Sequence, residues 1–164
     1  MEFLKQRAIN IFTDMKYRKD IVIAVLDKDF DNLIDAEEKI KVLEEFVKDS
    51  AFGELLAIVK RVGNISKDYT STEVKSELFV EDIEKELYNF STILSTNVDQ
   101  DLENKDYRKY LSDITDGKNI INSYFDQIKV MDKDENIKNN RLSELRFLTE
   151  IFTRMADLNK IDEK

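Results

Sequence analysis

Nothing in this chain forces a helix to stop: there is no proline anywhere, and there are only three glycines. Proline removes a backbone donor and clashes with the preceding turn, while glycine is the most costly residue to order. Their scarcity leaves helix as the default wherever apolar residues recur every three or four positions. Leu, Ile, Glu and Lys recur at that spacing along most of the sequence. The pattern predicts an all-α protein, an irregular bundle of about eight helices near residues 2–13, 18–27, 32–48, 51–66, 81–96, 104–114, 117–131 and 135–159. The clearest loop is "SKDYTSTEVKS" at 66–76, followed by "NVDQDLENKD" at 97–106, and neither is long enough to be a domain linker. The 164 residues therefore read as one domain, long enough to bury a core.

The absence of both Cys and His removes whole classes of chemistry. No disulfide, zinc site of the usual nitrogen and sulfur kind, cysteine nucleophile, serine–histidine pair or imidazole acid/base can be built. No glycine-rich phosphate loop is present either. No apolar run approaches the roughly 20 residues that span a bilayer, and "MEFLKQRAIN" lacks a signal peptide's apolar core, so a cytoplasmic location is expected.

One stretch looks like a metal site. In "DKDFDNLIDAEE", Asp27, Asp29, Asp31, Asp35 and Glu38 fall at positions 1, 3, 5, 9 and 12 of a twelve-residue EF-hand loop, with Ile34 at the usual apolar position 8. Against this, position 6 is Asn32 rather than Gly, and the loop is alone, since "DKDEN" from Asp132 has Ile137 and Ser143 where a site needs Gly and Glu. The plainer reading has Asp29 or Asp31 capping a helix that begins near Asn32, with the other acids solvated near its N-terminus.

Charge is polarised along the chain. The formal net charge is −9, which disfavours general nucleic-acid binding, and residues 20–54 carry eleven acids against four bases. By contrast "LLAIVKRVGNISK" at 55–67 has Lys60, Arg61 and Lys67 and no acid. Wound as a helix, this segment puts Lys60, Arg61 and Asn64 on one narrow arc, with apolar residues filling the remainder. The bland account is a solvated face; the functional one is contact with phosphates or bases. In the last helix Arg141 falls inside the apolar arc, with Asn140 on its margin. A guanidinium there must be paired, with Glu144 or Asp126 as candidate partners, or must line a recess that admits a base or phosphate.

The run "YFDQIKVMDKDENIKNNRLSELRFLTEIFTRMADLNKI" (124–161) carries landmarks at Phe125-Asp126, Val130-Met131, Asn140-Arg141-Leu142 and Ala156-Asp157. It resembles the C-terminal end of the β subunit of bacterial glycyl-tRNA synthetase. "YRKDIVIAVLD", "LLAIVKRVGNISK" and "LFVEDIEKELY" are similar to the same family in the same order. Lys138 stands where the family leads one to expect arginine, and Asn159 where serine is expected. The resemblance implies a DALR-type helical anticodon-binding domain over 1–164, the C-terminal fragment of a longer β subunit, with Met1 the start of that fragment. It further implies glycine tRNA as ligand and an α subunit as partner in a heterotetramer of two α and two β. The holoenzyme would use ATP and Mg for attaching glycine, and adenylate formation would belong to the α subunit, leaving no catalytic residue or cofactor here. The RNA-binding residues expected on this basis are Lys60, Arg61, Asn64, Asn140 and Arg141. A solitary calcium module and a helical protein–protein module docking through 20–54 are the competing readings.

Overall fold

The computed structural model describes residues 1–163, and among them the chain is all-α, with eight α-helices, two single 3₁₀ turns and no strand. The helices are α1 (Glu2–Asp14), α2 (Lys19–Leu26), α3 (Leu33–Phe46), α4 (Ser50–Ser66), α5 (Asp82–Glu103), α6 (Tyr107–Thr115), α7 (Lys118–Gln127) and α8 (Glu135–Phe152); the turns are Ser76–Leu78 and Leu158–Lys160. None of these helices is long and apolar enough to cross a membrane. By packing, the chain divides into two compact units, one of Met1–Leu56 with the described part of Phe152–Lys164, the other of Ala57–Ile151.

With so little glycine, two helices end on lysine. Lys16 after α1 and Lys105 after α5 take positive φ, 75° and 55°, the left-handed position that glycine usually fills. At each end the following residue turns back, Tyr17 N–H donating to the Phe12 carbonyl at 3.3 Å and Asp106 N–H to the Asp101 carbonyl at 2.8 Å. Such a cap carries no composition signal. As a result α5 runs through Val98 and Asp101 to Glu103, where the sequence pattern had placed a loop from residue 97.

In the first unit α2 is the central element. Ile21, Val22, Ala24, Val25 and Leu26 are all buried, an all-round apolar helix that packing rather than propensity stabilises. The segment after α8 closes over it: the Asp157 N–H donates to the Ala24 carbonyl at 2.8 Å, and Met155, Ala156, Leu158 and Ile161 are buried. That docking is why the last helix stops at Phe152, short of the expected 159. Arg18 forks onto Asp20, whose carboxylate also accepts the Asp162 N–H at 2.9 Å.

In the second unit α5 supplies Leu87, Leu94 and Val98, α6 supplies Tyr110, Leu111 and Ile114, and α7 supplies Ile121 and Tyr124. The Tyr110 hydroxyl donates to the Ile151 carbonyl at 2.6 Å. A capping box starts α5: the Glu84 carboxylate accepts the N–H groups of Val80 at 2.9 Å and Glu81 at 2.8 Å. Helix α7 ends at Gln127 rather than 131 because Ile128 turns extended, and Ile128 and Val130, two residues apart, both bury. Between them the Lys129 carbonyl is presented to α8.

Candidate nucleic-acid interface

Three of the five residues that sequence singled out share one surface of the second unit. On α4, Lys60 is half-buried and makes no ion pair among the described residues, while Arg61 and Asn64 are exposed. Their helix is held in place by its apolar face, Ile58, Val59 and Val62 being buried, and by Ser66, whose hydroxyl donates to the Val62 carbonyl at 2.8 Å and lies 3.4 Å from the Thr149 hydroxyl on α8. The Arg61 guanidinium sits 4.0 Å over the centre of the Phe125 ring on α7. Stacking fixes the fork while leaving its N–H groups at the surface, a geometry suited to phosphate or base edges. Phe125 was a landmark in the sequence, but nothing along the chain connected it to Arg61.

Arg141 has a different environment. It is 5% exposed and donates from Nε to Glu84 at 2.8 Å and from Nη2 to the same carboxylate at 3.5 Å. Its Nη1 donates to the Lys129 carbonyl at 2.8 Å and to Asp132 at 3.3 Å. Burial alone would raise the Glu84 carboxyl, yet Arg141 with the Glu81 and Val80 N–H groups holds it below its ordinary range. The ion pair is therefore real, but its partner is neither Glu144 nor Asp126, the candidates the sequence suggested. Asp126 is exposed, and Glu144, fully buried, forms no ion pair with Arg141 among the described residues. Burial, reinforced by the Glu84 charge, pushes the Glu144 carboxyl up to about 9, so it is neutral near pH 7, with the Tyr124 hydroxyl beside it.

Asn140 faces away from that cluster. Its amide clasps one residue of the 67–75 loop, accepting the Lys75 N–H at 2.7 Å and donating to the Lys75 carbonyl at 3.0 Å. Thus the adjacent pair Asn140-Arg141 does two jobs: one side chain anchors a loop, and the other links α8 to α5 and to the segment after α7. A signal for the first job did exist in the sequence, since Asn136, Asn139, Asn140 and Ser143 fall at i, i+3, i+4 and i+7 and put three amides and a hydroxyl on one helical face.

In the acidic loop the carboxylates are turned to other partners. Asp27 is turned to Lys5 and Lys160, Asp29 accepts the Asp31 N–H at 3.0 Å, and Asp35 pairs with Lys39 at 3.1 Å. The helix cap is Asn32, not Asp29 or Asp31: its side chain accepts the N–H groups of Ile34 and Asp35 at 3.1 Å. Ile34, the apolar residue at position 8 of the pattern, is 77% exposed rather than packed, and Glu38 is exposed as well. Among the described residues no group of three or more acidic side chains converges. Melting in millimolar calcium is expected to match melting in chelator. A calcium-dependent rise that disappears in Asp31→Ala with Glu38→Ala would restore the EF-hand reading.

Comparison with known proteins bears on the whole chain. It is 34% identical over 161 residues to the glycine–tRNA ligase β subunit of Geotalea daltonii, covering 98% of this chain and 23% of that protein. The chain is homologous to part of the glycine–tRNA ligase β subunit. The β subunits of Clostridioides difficile and Persephonella marina match at 31% and 30% identity over the same shares. No family model matches the chain. The sequence spans about a quarter of the length of these β subunits, 23% of each. Because the similarity to the β subunit covers 98% of the residues, it embraces both compact units and the acidic loop alike.

Proposed function

We propose that this chain is the tRNA-anticodon-binding part of a glycine–tRNA ligase β subunit. In that setting it serves the ATP-dependent attachment of glycine to its tRNA, in an assembly of two α and two β subunits that takes up ATP and Mg outside this segment. It would form one functional module, with the remainder of the β subunit and the α subunit as protein partners. Homology to β subunits supports the reading, and one feature carries it: the stacked Arg61 beside Lys60 and Asn64 on α4, within the stretch 55–67, which has three cations and no acid. A protein of net charge −9 concentrates what positive surface it needs for RNA, and here the cations stand on a helix whose other faces are occupied by packing.

The alanine variants at this face test it. Lys60→Ala is expected to change stability by no more than about 0.5 kcal/mol, and Arg61→Ala by about 0.5–1 kcal/mol, since the latter also loses an exposed cation–π contact. Both are expected to weaken binding of a glycine-tRNA anticodon stem-loop. If they touch phosphates, the slope of log affinity against log salt falls by about one for each lost contact, equally for cognate and non-cognate stems. Unchanged affinity and unchanged salt slope in both variants would remove this face from the proposal.

A further inference from the structure

The loop that Asn140 anchors encloses, with one face of α8, a small polar recess of about 200 Å³ lined by Tyr69, Ser71, Asn136, Asn139, Asn140 and Ser143. We infer that this recess takes a single unstacked nucleobase of the RNA, reading its edge with the Asn136 and Asn139 amides while Tyr69 stacks on its face. The inference rests on the RNA-binding reading above and adds to it the place where sequence is read.

Four observations carry it. The recess is smaller than the roughly 300–1,000 Å³ of sites that enclose whole small molecules, so it fits one planar heterocycle rather than a complete nucleotide cofactor. Its charged lining residues, Glu73 and Lys75, cancel, so nothing in it favours an isolated phosphate or cation; what remains are amides and hydroxyls, the groups that match a base's donors and acceptors. The loop wall is held in place: the two Asn140–Lys75 bonds fix one end, the Tyr69 N–H donates to the Ser66 carbonyl at 3.0 Å at the other, and the Ser143 and Tyr69 hydroxyls lie 3.5 Å apart. Finally, while Asn140 is engaged, the side chains of Asn136 and Asn139 have no hydrogen-bond partner within the described protein, and Asn136 is exposed. Sequence-specific RNA recognition works on splayed loop bases, stacked on an aromatic ring and bonded along their edges, and these residues supply both parts.

The test is a matrix of protein variants against RNA variants. The full 164-residue chain is titrated with a glycine-tRNA anticodon stem-loop and with a series in which each loop base in turn is removed to leave an abasic sugar. For the parent loop, Asn136→Ala with Asn139→Ala is expected to bind at least fivefold more weakly, the loss associated with one bidentate base contact. Tyr69→Leu is expected to show a similar loss and Tyr69→Phe to restore binding, because the ring is kept. One abasic position should weaken the parent protein by the same factor and then show no further loss in the asparagine variant, the coupling that marks direct contact. Asparagine variants that bind every loop as the parent does, with each abasic penalty unchanged, overturn the pocket and leave the Arg61 face standing. A parent chain that binds no stem-loop overturns both proposals. Occupation of the recess by a free nucleoside, with the stem-loop indifferent to the variants, overturns the inference in favour of a small-molecule site.

Discussion

Arg141→Ala is expected to destabilise the second unit by roughly 3–5 kcal/mol, the range found when one partner of a buried ion pair is removed. The reason lies less in the lost contact than in what is left. Glu84 is 0% exposed, and without the guanidinium its carboxylate stays buried with only the Val80 and Glu81 N–H groups to stabilise it. The Lys129 carbonyl loses its donor at the same time. For a chain of this size each kcal/mol moves the melting temperature by about 2–4 °C, so a drop on the order of 10 °C is expected by thermal unfolding. Replacing both partners, Glu84→Gln with Arg141→Met, should recover much of the loss, because the amide still accepts the capping N–H groups and no charge remains buried. Loss of RNA affinity in Arg141→Ala is then an indirect consequence of a loosened α8. A variant that melts like the parent yet no longer binds the stem-loop would transfer Arg141 to the RNA surface.

The second large effect depends on pH. The Glu144 carboxyl, ordinarily titrating at 4.5, is raised to about 9 in the folded chain, first by burial and then by the Glu84 charge. Its folded pKa lies above the unfolded one, so the folded state holds its proton where the unfolded state releases it. The stability it contributes is fully present below pH 4.5 and is lost as pH rises toward 9, at about 1.4 kcal/mol per pH unit. Glu84 has the opposite sign: its carboxyl is held below the ordinary 4.5, and its contribution is present above that value and lost as pH falls through the folded pKa. Together they place the stability maximum on the acidic side of neutrality. Glu144→Gln keeps the shape of the neutral acid without its ionisation, and at pH 8 it is expected to be more stable than the parent by several kcal/mol. Urea midpoints from pH 5 to 8 should fall for the parent and stay nearly level for the variant. Parallel curves would show that Glu144 is charged, or solvated, in the folded protein.

The sequence alone determined the fold class and placed all eight helices, because spacing of apolar residues is a local property and nothing in the composition interrupts it. It also isolated Lys60, Arg61 and Asn64 on one face, and it required that Arg141 be paired or line a pocket. What it could not supply were facts set by residues far apart in the chain. Helix α5 ends on a lysine in a left-handed turn, which leaves no composition mark, and α7 and α8 stop early because Ile128, Val130, Met155 and Ala156 bury outside helical geometry. The partner of Arg141 is the glutamate of a capping box 57 residues upstream, where two tasks fall on one carboxylate, and no spacing along the chain linked the two. Arg61 needed α7 to bring Phe125 beneath it, and the asparagine face of α8 became one wall of a recess only when the 67–75 loop was fastened across it. The acidic loop shows the converse: ligand spacing along the chain does not by itself make carboxylates converge, since tertiary contacts turn Asp27 toward two lysines and Asn32 serves as a helix cap. Local periodicity decides which segments are helices; the competition among buried charges, amides and apolar groups for partners decides where those helices end and which side chains remain for a ligand.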